Sequence, residues 1–433
     1  MIAEVEIFET RFEKRNTLWS NRDTFKKNQE TWYLQPFQDQ DAEAIVKEVN
    51  NYQSQNMQAK MKLKKGEKDE VLYKFSDEVN EVGDHCELIR ALGCKDLQER
   101  HWNRIFTQIE SQLRGIDIRD VNLQRIIDDG APDHQEFIQE VSSTAKGEAE
   151  IARQMDEVKE RWNAREFTVA NYRDTKDRFI IKEVEDVITE LEDDIMAVSA
   201  MMGSRYVTEI KAEVEEWERR LGTVSDTIDE WLTFQRQWMY LENIFNAEDI
   251  QKQLQAETKA FQAVDKFWKG HMDSTKKVPK VVQQAGNETI KNNFIRNNQK
   301  LEEIQKGLED YLGTKRAAFP RFYFLSNDDL IEILSQTRNV HAVQPHLMKC
   351  FDAMKSIEFT KEPGSKEIIG MWSPEGEYID FSSSVMAIGP VEHWLKDIES
   401  MMTQSLYDQT KSAWNQYPED VTQRDEWFFN YGA

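Results

Sequence analysis

Glycine and proline are scarce in this sequence. Its 433 residues include 17 Gly and 9 Pro, about half the average usages of ~7% and ~5%. All-β folds and long flexible linkers need more of both, so helix is favoured. Cysteine is scarcer still. Cys86, Cys94 and Cys350 form an odd set without paired spacing, which argues against a disulfide framework and for a reducing compartment. No run of about 18 uncharged apolar residues occurs, so no membrane-spanning helix is expected. The start, Met1-Ile-Ala-Glu-Val-Glu6, has no basic stretch followed by an apolar run, so no signal peptide is expected there. Positive charge is in deficit: 56 Lys and Arg stand against 80 Asp and Glu, a net charge of −24. That field repels nucleic acid and anionic lipid, and neither is expected as a partner.

Chemistry-bearing patterns are missing too. A phosphate loop needs glycines that let backbone N–H groups approach phosphates, plus a lysine. Gly313-Thr-Lys315 matches it in three letters only, and no G-x-G-x-x-G occurs. His85, Cys86, Cys94 and His101 match no standard zinc spacing. His341 and His346 are five apart and diverge on a helix. Acidic pairs such as Asp193-Asp194 read as solvated faces among 80 carboxylates. No catalytic, metal-binding or cofactor-binding residue is assigned.

What the sequence does contain is 12 Trp and 22 Phe within a chain that is 31% charged. Disordered chains are poor in aromatics, so the chain is folded, with narrow apolar stripes between charged faces. A single core stops growing near roughly 250–300 residues, so more than one packed unit is expected. The fold class is mainly α: an elongated rod of consecutive antiparallel helical bundles with one small β-hairpin. Four segments are expected. Residues 1–110 form an N-terminal helical segment, 111–204 a bundle, 205–312 a long-helix bundle, and 313–433 a C-terminal part carrying the hairpin.

The middle is the most regular stretch. Val214, Trp217, Leu221, Val224, Ile228, Trp231 and Trp238 recur three and four residues apart, with Gln235 at the remaining seam position. This is a heptad pattern, and it predicts a helix from Arg205 to Phe245, about 60 Å long. Asn246 is placed to cap the next helix, with Asp249 three residues on. Trp217, Trp231 and Trp238 resemble a binding platform in composition, but at seam spacing they are expected to fill the space between helices. Helix breakers gather at Gly203-Ser204, from Gly270 to Gly286, and from Gly313 to Pro320. Pro320 pushes Phe319 out of the helix, and Phe322-Tyr-Phe-Leu325 is too apolar for a free loop. Ser326 and Asp329 read as a capping box. Ser373-Pro-Glu-Gly376 suits a type I turn between strands in a hairpin over 367–381. Glu166–Tyr172 is a candidate extended segment. The lysine-rich stretch from Lys62 to Lys68 is an expected exposed turn. The apolar ending, Trp427-Phe-Phe-Asn-Tyr-Gly-Ala433, suggests a cut through a longer chain.

The run from Lys315 to Thr337, with Phe319-Pro-Arg-Phe-Tyr-Phe324 at its centre, resembles the linker region of dynein heavy chains. So do Gln344-Pro-His-Leu347, Gly203-Ser-Arg-Tyr-Val207, the stretch from Glu230 to Phe245, Asp249–Leu254, Phe261–Asp265, Ile369-Gly-Met371, Glu375-Gly-Glu377 and Arg100-His-Trp102. The resemblance runs from about Arg100 to the end, and more loosely from Arg11. Gln255 departs from it, standing where the family often has proline. Gly203–Tyr206 and Trp238-Met-Tyr-Leu241 look more axonemal than cytoplasmic.

The resemblance implies a curved helical element that arches over a ring of ATPase modules. It would bend with the ring's nucleotide state and carry force to the tail. ATP and Mg²⁺ would belong to those modules, not to this fragment, which is not expected to be an enzyme although the parent would be an ATP-hydrolysing motor. The implied partners are its own ring and other dynein heavy, intermediate and light chains. Microtubules would be met only through the rest of the motor, and the location would be the cytoskeleton of cytoplasm and cilium. The rival reading is a non-motor cytoskeletal scaffold of helical repeats. It calls for a period near ~100 residues with recurring tryptophans, which is not seen.

Overall fold

The computed structural model describes residues 2–63, 68–111, 113, 115–336, 339–362 and 364–431. Lys64, Lys65 and Gly66 of the lysine-rich stretch lie outside these. The described chain is mainly helical and groups into two compact units, residues 1–161 with 193–218, and residues 162–192 with 219–433.

The first unit opens with α1 (Ile2–Leu34), α2 (Ala42–Met61), α3 (Glu70–Asp84), α4 (Cys86–Leu92) and α5 (Glu99–Gln108). Asp41 and Asp69 cap α2 and α3 by accepting from the second and third backbone N–H groups, which removes orphan donors from each helix start. Apolar spacing then sets the packing. Phe25 of α1 meets Trp32, Tyr52 and Phe75 edge-on at 5.4–5.9 Å, a geometry aromatic quadrupoles favour. The glycine-punctuated stretch that follows forms short pieces, including α6 (Leu123–Asp128). The long α7 (Gln135–Ala164) then adds Ile138, Val141 and Ala145 to the same core. The unit also takes the last turns of α8 (Glu185–Met202) and the first of α9 (Lys211–Phe245).

The second unit is built on the rest of α9. Trp231, Phe234 and Trp238 are fully buried. The helices that follow are α10 (Glu248–Gln253), α11 (Gln255–Lys277), α12 (Val281–Ala285) and α13 (Glu288–Ala318), and the three rings meet α11 and α13 through a continuous aromatic cluster. Trp231 stacks on Phe294 at 5.1 Å, Phe234 on Trp268 at 5.2 Å, and Trp238 tilts on Trp268 at 5.3 Å. Trp217, in the first unit, is 8% exposed.

Several boundaries differ from expectation. Helix α9 begins at Lys211, not Arg205, because Ser204–Ile210 closes as turns. Asn246 caps nothing: its Nδ2 donates to Glu242 Oε1 at 2.6 Å, and the N-cap of α10 is Ala247. Gly270 and Gly313 lie inside α11 and α13, since one glycine costs a helix only about 1 kcal/mol and the packed faces on either side outweigh that. The breaks fall instead at Val278–Lys280 and at Phe319. Leu254 leaves helical geometry and Gln255, which stands where proline is often found in the family it resembles, opens α11. That first helical position tolerates proline, so the break persists without it.

Strand structure is richer than one hairpin. β1 (Thr168–Asn171) and β2 (Phe179–Lys182) pair antiparallel with Val169 opposite Ile181. After α14 (Asn327–Ser335) and the short α15 (Leu347–Cys350) comes a three-stranded antiparallel sheet. Its strands are β3 (Ser356–Phe359), β4 (Glu367–Trp372) and β5 (Tyr378–Met386). The turn at Ser373–Gly376 is present: the Gly376 N–H donates to Ser373 O at 3.2 Å. Gly376 takes φ +95°, a region costly for residues with a Cβ. β5 then runs past Phe381 and packs on α16 (Val391–Asn415). The short α17 (Arg424–Tyr431) follows.

Candidate functional site

The Phe-Pro-Arg-Phe-Tyr-Phe segment makes a corner in the second unit. Pro320 has no N–H and holds Phe319 extended, at φ −132° and ψ 95°, so α13 stops and a tight 3-10 turn follows over Pro320–Phe324. Phe319 and Phe322 are fully buried and meet edge-on at 5.0 Å, with Phe351 at 6.2 Å from Phe319. The segment is not buried throughout, however. Tyr323 and Phe324 are 67% and 71% exposed, because the threefold repeat of a 3-10 turn sends one residue in three inward.

Charged groups then fix the corner. Arg316 donates to the carbonyls of Phe322 (3.4 Å) and Leu325 (3.1 Å). Arg321 donates to Glu399 Oε1 on α16 at 2.8 Å and to Cys350 O at 3.0 Å, with its guanidinium 4.8 Å above the Phe351 ring. Lys315 pairs with the buried Glu392 at 2.5 Å. Burial, then the Glu392 charge, pushes nearby Tyr311 up to about 12. Burial pushes the Cys350 thiol up to about 11, so it is a packing residue and not a nucleophile. Ser326 and Asp329 form the reciprocal cap of α14. The Lys349 ammonium at 2.9–3.0 Å, followed by Ser326, holds the Asp329 carboxyl below its ordinary range. A corner tied to α15 and α16 in this way holds these helices to the end of α13 and offers no nucleophile with an adjacent base.

Two glutamines act in a way that spacing did not reveal. In the α9 seam, Gln235 Nε2 donates to Ile181 O at 3.0 Å and Oε1 accepts from Ile181 N at 2.9 Å. Gln344 repeats the arrangement on β3: Nε2 to Ile357 O at 2.8 Å, and Oε1 from Ile357 N at 3.1 Å. Each carboxamide takes the place of a neighbouring strand on an open sheet edge. One helical repeat beyond Gln235, the buried Glu242 accepts from Arg178 in the β1–β2 loop. The hairpin is held at its base too, where Phe167 N donates to Pro279 O at 2.8 Å.

In the first unit, two of the motifs that carried the resemblance meet. Arg100 pairs with Glu148 at 2.5 Å and with Glu209 at 3.3 Å. His101 Nδ1 accepts from Gln98 N at 3.0 Å, and its Nε2 lies 3.0 Å from Glu148 Oε2. The Tyr206 ring lies against Gly147, where any Cβ would collide with it. Among the described residues no group of three or more His, Cys, Asp or Glu is arranged to hold a metal, and all three cysteines are free and buried.

Comparison with known proteins matches residues 5–413 to the family described as dynein heavy chain, N-terminal region 2. Dynein axonemal heavy chain 6 of Homo sapiens is 37% identical over 92% of this chain and 10% of its own length. Dynein axonemal heavy chain 2 of Homo sapiens is 41% identical over 78% of this chain and 8% of its own. The Mus musculus chain of the same name is 35% identical over 98% of this chain and 10% of its own. The chain thus spans about a tenth of the length of the curated relatives it matches. It belongs to the dynein heavy chain family, as the N-terminal region 2 of an axonemal member.

Proposed function

We propose that this chain is the mechanical linker of a microtubule-based dynein motor in the axoneme. It bends over the ATPase ring of its own heavy chain and passes the stroke to the tail. The observation that carries this is the pairing of family membership across residues 5–413 with a scaffold fitted to bear load. Helix α9 runs unbroken for 35 residues behind fully packed aromatic contacts, and packed interfaces switch between discrete arrangements instead of deforming smoothly. ATP and Mg²⁺ act in ring modules of the parent chain, and this segment hydrolyses nothing itself. Its partners are that ring and the other heavy, intermediate and light chains. Microtubules are met through the rest of the motor, in cytoskeleton and cilium. The test is a pair of parent-motor structures in two nucleotide states. A linker shows this segment changing its contacts with the ring between them, and an unchanged segment overturns the proposal.

A further inference from the structure

The β1–β2 hairpin and the residues beside it lie along one face of α9. Trp231, Gln235, Trp238 and Glu242 recur at helical spacing on that face, and each meets a residue of the hairpin segment. The Trp231 ring lies 5.1 Å from Phe167, and the Trp238 ring 5.2 Å from Tyr172. Between them Gln235 holds both main-chain groups of Ile181. One turn beyond, Glu242 accepts from Arg178. The hairpin also reaches the end of α11, where the Lys276 ammonium lies 3.8 Å from the centre of the Phe179 ring.

The base of the same segment is stitched to the break between α11 and α12. Phe167 N donates to Pro279 O at 2.8 Å and Val281 N to Arg165 O at 3.0 Å, so Glu166 and Lys280 pair as an isolated antiparallel bridge. Lys280 Nζ adds an ion pair with Glu166 Oε1 at 2.8 Å and a hydrogen bond to Ala164 O at 3.0 Å. Helix α12 has five residues, far below the roughly 12–15 that sustain a helix unaided. Its first turn hangs on Lys280, whose carbonyl accepts from Gln283 N and Gln284 N at 3.1 Å. The residue that starts the helix is therefore the one that the bridge holds.

We propose that the hairpin is a brace that closes the α11–α12 break by tying it to α9, so that α9, the end of α11 and the start of α12 move as one body. A turn that carries only its own bonds opens locally at little cost. Opening at Val278–Val281 has to break the bridge at Glu166 and Lys280, or else pull Phe167, Tyr172, Arg178 and Ile181 off the α9 face. The Gly286 end of the same break lies outside the bridge. The brace is a property of the chain itself and stands whether or not the chain acts as a linker.

The experiment follows amide hydrogen exchange in the full chain, by mass spectrometry of peptides covering Phe167, Ile181, Val281–Gln284 and the middle of α13. Gln235→Ala removes a contact at Ile181, and Gln235 bonds to neither Phe167 nor Val281. Exchange is expected to accelerate at Ile181 and, with it, by at least about tenfold at Phe167 and Val281–Gln284, while α13 keeps its rate. Glu242→Gln keeps the side-chain shape and removes the charge that faces Arg178. It is the milder variant, and the same pattern is expected at smaller amplitude. Acceleration confined to Ile181, spread equally over α13 in both variants, or absent from both overturns the proposal, because the break then holds itself closed without the hairpin.

Discussion

Gln235 and Ile181 exchange both members of a peptide-like pair, Nε2 to O at 3.0 Å and N to Oε1 at 2.9 Å, and this fastens the β1–β2 hairpin to the long helix. Gln235→Leu leaves the Ile181 N–H and C=O without partners in a buried site, at an expected cost of about 2–4 kcal/mol. Gln344→Leu should cost less, because Gln344 is itself half-buried and its bonds to Ile357 are only part-buried, whereas those of Gln235 are buried. Urea denaturation of both variants checks the order.

Trp231→Ala and Trp238→Ala should each cost about 3–5 kcal/mol, because both side chains are fully buried in the ring cluster. Trp238 also donates from Nε1 to Asp265 Oδ1 at 3.1 Å, so Trp238→Phe loses a hydrogen bond as well as volume. Equilibrium unfolding followed by circular dichroism measures both.

His271 lies 4.5 Å from Trp231 and 4.9 Å from Phe294, ring to ring, and burial lowers it from 6.5 to about 4. The folded state therefore resists a proton that the unfolded chain accepts. Stability attributable to this residue is intact above pH 6.5, falls as pH drops from 6.5 towards 4, and levels off below that. The expected loss is about 1–3 kcal/mol. The difference in unfolding free energy between the natural chain and His271→Phe, measured across that window, isolates it from the many carboxylates. A difference independent of pH contradicts the assignment.

The purified chain should release no phosphate from ATP above the buffer rate, because it carries no phosphate-binding loop. Steady turnover that disappears on substituting residues within 1–433 would contradict this.

Much of the architecture was legible in the spacing of apolar residues. The α9 seam could be read because Val214 to Trp238 recurs at three and four residues, and burial follows that register. The Ser326 cap and the Ser373–Gly376 turn could be read because each depends on a short local pattern. Other features depend on tertiary contacts. Gln235 and Gln344 look like polar fillers until the strand edge they cover is known. Phe179–Lys182 is too short an apolar run to separate strand from helix by period. Gly270 and Gly313 carry no outward sign that packing overrides their cost. Tyr323 and Phe324 differ from Phe322 only by their place in a 3-10 turn.

The chain is expected to bend at joints while its packed helices stay rigid. After the boundaries are corrected, the candidate joints are Gly203–Ile210, Val278–Gly286 and Phe319–Leu325, because these are where helices stop. The most direct test is the structure of the whole motor in two nucleotide states, superposed one helix bundle at a time. The expected result is that the helices on either side of a joint each superpose on themselves while backbone rotation is concentrated at one of these three segments. Curvature spread evenly along Lys211–Phe245 would contradict it.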